Sequence, residues 1–289
     1  MIKKWMIAIR PKTLFAAAAP VLVGWGIAIK AGSFPIDKAI AALLCALLLQ
    51  IAANLANDVS DFQKGADTEE RLGPQRVTQS KLMSEKQVWI GTLVVLLLAG
   101  FVGLYLAFTS GWGVILIGAL SIAAALLYTV GPFSFSDIGL GELFVLIFFG
   151  FVAVCGTIYV LIGYVPLEAW LGGLSVGALT VNILVVNNVR DIDADRKAGR
   201  RNIPVLYGQS GGAWQYASML VIAFSTVLLL PFLSHSFWVL LPLILIPSAI
   251  SLFRKISQTA PGKIFNQYLA ETARLVFLYG LLLGIGLAI

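Results

Sequence analysis

Charge is what this sequence has least of. Only 12% of its 289 residues are charged, while 59% are hydrophobic and the mean hydropathy is +0.93. A soluble domain of this length cannot hide so much apolar side chain, because surface is too large a share of its volume. A water-soluble fold is therefore excluded, and the bilayer must act as solvent. Cysteine is scarce as well. Cys45 and Cys155 fall inside apolar runs, with no C-x-x-C and no repeated spacing, so no disulfide framework is indicated and both read as inert buried thiols. Histidine is almost missing. The single His235 sits in a short connection on the opposite face from the acidic loops, which excludes a His-ligated transition metal there. The first apolar run starts at residue 13 without a small-residue cleavage site, which argues against a removed signal peptide.

What is there is a series of apolar runs. A span needs roughly 20 apolar residues to cross about 30 Å of hydrocarbon. Nine runs qualify: 13–29, 39–57, 87–108, 112–130, 139–163, 167–187, 213–233, 237–253 and 268–289. The eighth is the weakest, because Pro242 and Pro247 interrupt it. If nine spans alternate, 17 of the 20 Lys and Arg fall on one side, and only Lys30, Lys38 and Arg274 fall elsewhere. Such a bias marks the cytoplasmic face. The expectation is an all-α integral membrane protein: one bundle of nine transmembrane helices with a central cavity, in a single domain spanning 1–289. Its N-terminus and long loops face the cytoplasm and its C-terminus faces out. The net charge of +6 then needs no nucleic acid, since topology and anionic lipid account for it.

The acids are not spread evenly. Of 14 Asp and Glu, Asp58, Asp61, Asp67, Glu69, Glu70 and Glu85 follow the second run, and Asp191, Asp193 and Asp195 follow the sixth. The two places look like copies. "NDVSD" puts Asn57 four residues before Asp61, and "NNVRD" puts Asn187 four before Asp191, with Asp195 four further on. Both the Asn and the Asp recur 130 residues later, each at the end of the second helix of a four-helix block. A weak internal duplication, spans 1–4 and 5–8, is the expectation.

Residues four apart share a helix face. Several carboxylates on one face at membrane level repel one another and raise each other's pKa, so something positive must offset them. Carboxylate and amide oxygens without His or Cys are hard ligands suited to Mg²⁺, which keeps water and bridges to phosphates. Arg76 follows Asp67, and Lys197, Arg200 and Arg201 follow Asp195. Acids for a metal, ringed by Arg and Lys, suit a diphosphate. At the mouth of an apolar bundle, a lipid-tailed diphosphate fits. Its metal-assisted departure would leave an allylic carbocation that aromatic rings can stabilise, with Tyr128, Phe148, Phe149 and Tyr159 as candidates and Tyr128 first. Polar helix caps explain one such loop equally well, but not two matched ones. A divalent-cation or anion transporter is the rival from another class. The opposite face offers it no matching ionisable path. A degenerate member that only binds prenyl lipid is a third reading, against which the intact acids argue.

Two longer stretches, "NDVSDFQKGADTEERLGPQR" (57–76) and "NNVRDIDADRKAGRRNIPVLYG" (187–208), resemble the Asp-rich motifs of the UbiA-type intramembrane prenyltransferase superfamily. "RPKTL" (10–14), "YTVGPF" (128–133) and "GLGELFVLIFFG" (139–150) extend the resemblance. "GADTEERLG" and "RDIDADRKAGRR" are similar to the branch acting on 1,4-dihydroxy-2-naphthoate. The resemblance implies a Mg²⁺-dependent enzyme whose two long loops form a cytoplasmic cap. It implies metal and diphosphate sets of Asn57, Asp61 and Asp67, with Asp58 adjoining, and of Asn187, Asp191 and Asp195. Arg76 would contact diphosphate, with Lys197, Arg200 and Arg201 beside it. It also implies two substrates, a polyprenyl diphosphate and the aromatic acid, with carbon dioxide lost. Other acceptors, such as 4-hydroxybenzoate or homogentisate, stay open. There are departures. Gly65 stands where many members place an acid, and the loop Gly131–Asp137 lacks the Lys or Arg that many relatives aim at the diphosphate.

Overall fold

The computed structural model describes residues 2–65, 72–131 and 134–289, and every regular element among them is helical. In chain order these are α1 (Ile2–Ile9), α2 (Pro11–Lys30), α3 (Ile36–Gln63), α4 (Glu85–Ser110), α5 (Gly113–Leu127) and α6 (Gly141–Ile162). There follow α7 (Leu167–Arg190), α8 (Ile192–Lys197), α9 (Ile203–Ser234), α10 (Phe237–Gln258) and α11 (Phe265–Ala288). Eight are long and apolar enough to cross a membrane. The run at 112–130 forms α5, whose 15 helical residues reach about 22 Å at 1.5 Å per residue, short of a full hydrocarbon crossing.

The chain enters through a corner. Arg10 takes a left-handed conformation (φ 53°) and Pro11 opens α2, so α1 folds away from it. The carbonyl of Ile9, freed by this break, accepts from Asn54 Nδ2 of α3 at 2.8 Å. Trp5 of α1 lies over Gly91 of α4, where a Cβ would come within 2.6 Å of its ring.

Between apolar helices in lipid there is no hydrophobic drive, so close packing by small residues replaces it. Gly280 and Gly284, one turn apart on α11, press on α2, and a Cβ at Gly284 would lie 2.4 Å from the Leu22 carbonyl. Gly150 of α6 meets Gly173 and Gly177 of α7 in the same way. There α6 widens into a π-helical segment, Leu146–Val152, a device frequent beside functional sites. The proline-broken run is continuous as α10: its first half winds as a 3-10 helix through Pro242, and Pro247 sits at the start of the α-helical half, where no N–H is needed.

α7 is the most enclosed of the spans. By contrast α4 turns Leu93, Leu97, Phe101, Leu104 and Phe108 outward. That apolar stripe would be a liability in water and is ordinary against lipid.

Candidate active site

The site lies at one end of the bundle, where α3 and α7 finish and α6 and α9 begin. Because α3 continues to Gln63, Asn57 and Asp61 share a face. α7 stops at Arg190, and Asp191 (φ −103°, ψ 17°) forms the bend into α8. The two Asn-x3-Asp stretches meet across a pocket of about 90 Å³, lined by Asn57, Asp61, Asn187 and Asp191 together with Arg76 and Arg200. Tyr128, Glu142, Asn188 and Asn202 complete the polar wall.

Each copy holds an arginine in the same manner. Arg76 donates to the Asn57 carbonyl at 2.6 Å and to its side-chain oxygen at 3.3 Å, and to Asp61 Oδ2 at 2.6 Å. Arg190 donates to Asn187 Oδ1 at 2.5 Å and grips both oxygens of Asp191 at 2.9 and 2.6 Å, while its third nitrogen reaches Asn266 of α11 at 2.7 Å. Arg190 is 2% exposed and Asp61 3%. Charges so enclosed persist only when paired and hydrogen-bonded. Arg190 was not among the residues singled out from sequence for the site. Its signal lies in the sequence itself, three residues after Asn187 and next to Asp191.

Arg200 ties the copies together. Its Nη2 lies 2.9 Å from Asp61, its Nη1 3.1 Å from Asp195, and its Nε 3.0 Å from Asp137. Burial works against its charge, but the surrounding Asp61, Asp195 and Asp137 more than offset this and hold it protonated beyond the usual guanidinium range. Asp195 is 4% exposed and also accepts from Asn202 Nδ2 at 2.9 Å. Burial raises its carboxyl above the ordinary value despite Arg200, and Asp191 adds to the rise.

Other sequence candidates fall elsewhere. Asp58 does not line the pocket: its two oxygens accept the backbone N–H groups of Val77 and Thr78 at 3.1 and 3.0 Å, and Arg10 stands 3.8 Å away. One residue along a helix turns the side chain about 100°, so Asp58 serves the loop behind α3 while Asn57 and Asp61 face the pocket. Asp195 is reached through Arg200 rather than lining the pocket itself. Lys197 and Arg201 are exposed, and Arg201 borders a second cleft of about 780 Å³. Asp67, with Glu69, Glu70 and Arg71, lies outside the described residues. Tyr128 borders the pocket, and an aromatic row runs from it through Phe144 (centroids 6.0 Å apart) to Phe148 (4.5 Å). Tyr159 is at the far end, its hydroxyl against Gly113. Glu142, near the start of α6, also faces the pocket and accepts from Asn188 at 3.2 Å. Asn182 bonds the Tyr216 carbonyl of α9, and Glu271 pairs with Lys255 at 2.7 Å.

Among the described residues no three acids, histidines or cysteines converge as a closed metal cage. The oxygen donors at the pocket are the carboxylates of Asp61, Asp191 and Glu142, with the side-chain amides of Asn57 and Asn187 beside the two aspartates. Mg²⁺ is commonly held by one or two carboxylates and completes its shell with water and the phosphates of its ligand, so this donor set fits it.

Residues 17–281 match the model of the UbiA prenyltransferase family. The chain is 33% identical over 290 residues to the 1,4-dihydroxy-2-naphthoate octaprenyltransferase of Escherichia coli (strain K12), covering 98% of this chain and 94% of that protein. It is likewise 33% identical to the protein of that name from Mycobacterium tuberculosis, over 99% of this chain and 97% of that one. In fold it is similar to a UbiA homolog from Aeropyrum pernix K1, at TM-score 0.70 and 17% identity, covering 95% of this chain and 96% of that one. A UbiA homolog from Archaeoglobus fulgidus bound to GPP and Mg2+ superposes at TM-score 0.66 and 15% identity, over 97% and 99% of the two chains. The paired Asn-x3-Asp stretches, the apolar helices and the near-complete match agree: the chain belongs to the UbiA prenyltransferase family and is a multi-pass membrane prenyltransferase.

Proposed function

We propose that the chain transfers a polyprenyl group from polyprenyl diphosphate to 1,4-dihydroxy-2-naphthoate, releasing diphosphate and carbon dioxide and forming demethylmenaquinol. The observation that carries this reading is the meeting of two Asn-x3-Asp stretches, each with its arginine, across one pocket at the end of an apolar bundle. The names of the relatives supply the acceptor. Mg²⁺, when bound, neutralises charge on the leaving diphosphate. Asn57, Asp61, Asn187 and Asp191 would hold it, with Asp195 and Asp67 in support.

The other work falls to the chain. Arg76 and Arg200 point guanidinium groups into the pocket and bind phosphate oxygens as the C–O bond to the prenyl carbon breaks, its electron pair leaving with the diphosphate. Tyr128 and the Phe144–Phe148 row present ring faces to the allylic cation and keep water away. The acceptor carbon bearing the carboxylate forms the new C–C bond. The carboxylate departs as carbon dioxide and its bonding pair restores the aromatic ring, so no separate base is required at that carbon.

The reading includes nine helices in the membrane with α5 as the short member, a cap formed by the two long loops, and the pocket end facing the cytoplasm. The two four-helix blocks are taken as descendants of one duplication. The deciding experiment gives purified protein farnesyl or geranylgeranyl diphosphate with Mg²⁺ and offers 1,4-dihydroxy-2-naphthoate and 4-hydroxybenzoate side by side. An EDTA-sensitive prenyl naphthoquinol lacking the carboxyl is the expected product. Product from 4-hydroxybenzoate alone keeps the chemistry and overturns the acceptor.

A further inference from the structure

The loop 131–137 brings no cation of its own to the site, yet two cations meet in it. Lys64, which closes α3, places Nζ 2.6 Å from Asp137 Oδ2 and 2.9 Å from Ser134 Oγ. Arg200 places Nε 3.0 Å from Asp137 Oδ1. One carboxylate thus holds an ammonium on one oxygen and a guanidinium on the other. The same guanidinium reaches Asp61 and Asp195, so Lys64 stands one side chain away from both acidic stretches.

The backbone keeps Asp137 in place. Its carbonyl accepts the Arg201 N–H at 3.0 Å. Two residues on, Gly139 adopts φ +84°, and a Cβ there would lie 2.1 Å from the Arg201 carbonyl. Only glycine permits that approach, and it fastens the loop to the segment carrying Arg200. Lys64 and Asp137 border the cleft of about 780 Å³ while Arg200 lines the pocket, so the Asp137 carboxylate bridges the two. A lysine on its flexible stem loses considerable rotamer freedom when it binds an anion, and a fixed carboxylate removes that loss beforehand.

We propose that Lys64 binds the diphosphate beside Arg200, and that Asp137 is the positioning residue that orients both cations. This rests on the prenyl-diphosphate reading above and extends it to a cation that arrives from the end of α3. A loop staple of no functional consequence is the competing account.

The test uses the full chain purified in detergent, with farnesyl diphosphate as probe, both in equilibrium binding and in initial rates at saturating acceptor. Lys64→Gln should raise KM and Kd for farnesyl diphosphate about tenfold, the worth of one charge-assisted contact. The KM for the acceptor should stay fixed, and Lys64→Arg should recover most of the loss. Asp137→Asn should raise the same KM, and the two substitutions should combine less than additively, because the part of Asp137 that acts through Lys64 is already lost in Lys64→Gln while the part that acts through Arg200 remains. A Lys64→Gln protein that binds farnesyl diphosphate like wild type, even with a lowered thermal midpoint, is a staple mutant and overturns the proposal alone. Folded wild-type protein that binds no farnesyl diphosphate overturns the prenyl-diphosphate reading, and this proposal with it.

Discussion

Arg200 lies 2.9 Å from Asp61 across 139 residues of chain, the acid in the last turns of α3 and the arginine just after α8. Neither copy of the motif closes the pocket without the other. The buried acid of the first is neutralised partly by its own Arg76 and partly by a cation that follows the second. Removing a member of such an enclosed network leaves a charge unpaired, which costs about 3–5 kcal/mol.

Asp61→Asn and Asp191→Asn keep the shape and most hydrogen bonds while deleting the charge. Each should abolish measurable turnover, a loss of at least about a hundredfold, in protein that still elutes as a folded species in detergent. Retained activity in both variants removes these acids from the reaction.

Metal removal should separate activity from folding. The buried acids are balanced by Arg76, Arg190 and Arg200 within the protein itself. EDTA should therefore stop turnover while lowering the thermal midpoint by no more than the release of one bound ligand does. Unfolding on chelation means that the fold also depends on the ion.

Asp58 should act on the fold of the loop behind α3 rather than on the metal. Asparagine at 58 can accept only one of the two amides of Val77 and Thr78. Leaving the other unsatisfied costs about 1–3 kcal/mol, visible as a lower thermal midpoint. The Mg²⁺ concentration for half-maximal activity should not move. A rise in that concentration like that of a weakened ligand places Asp58 back at the metal.

Arg190 cannot be replaced by lysine. Its fork serves Asn187, Asp191 and Asn266 at once, and one ammonium cannot span them. Arg190→Lys should lower turnover about 10–100-fold, the usual effect of losing a partner that orients a ligand. Near-normal rates leave Arg190 a packing residue.

The tie between Asp137, Lys64 and Arg200 carries a pH signature. Burial pushes the Asp137 carboxyl up, but the bonds from Lys64 and Ser134 and the nearby Arg200 outweigh it and leave the value below the ordinary one. An acid depressed in the folded state contributes stability above its unfolded value and loses it as pH falls through the folded value. The wild-type thermal midpoint should therefore decline in the acid range below about pH 4, and Asp137→Asn should flatten that decline. Parallel curves assign the decline to other carboxylates.

Much of the outline was legible in the residues alone. Apolar length marks a helix that can cross a bilayer, because the backbone has no other way to satisfy its polar groups in lipid. The Asn-x3-Asp spacing marks which side chains share a face, because helix geometry is local. What local geometry cannot supply is the partner from a distant loop. Asp58 and Asp61 are chemically alike in the sequence, and only the packing of residues 76–78 behind α3 gives the first to backbone amides and the second to Arg76. Lys64, Asp137 and Arg200 carry no shared motif, and they meet because Gly139 lets two loops touch. Tyr159 and Tyr128 are both aromatics near helix ends, and the alternation of spans already sets them at opposite ends of the bundle. Composition and spacing determined the solvent, the helices and the acidic stretches. Long-range packing decided which charges face each other, because ion pairing depends on distance in space and not on distance along the chain.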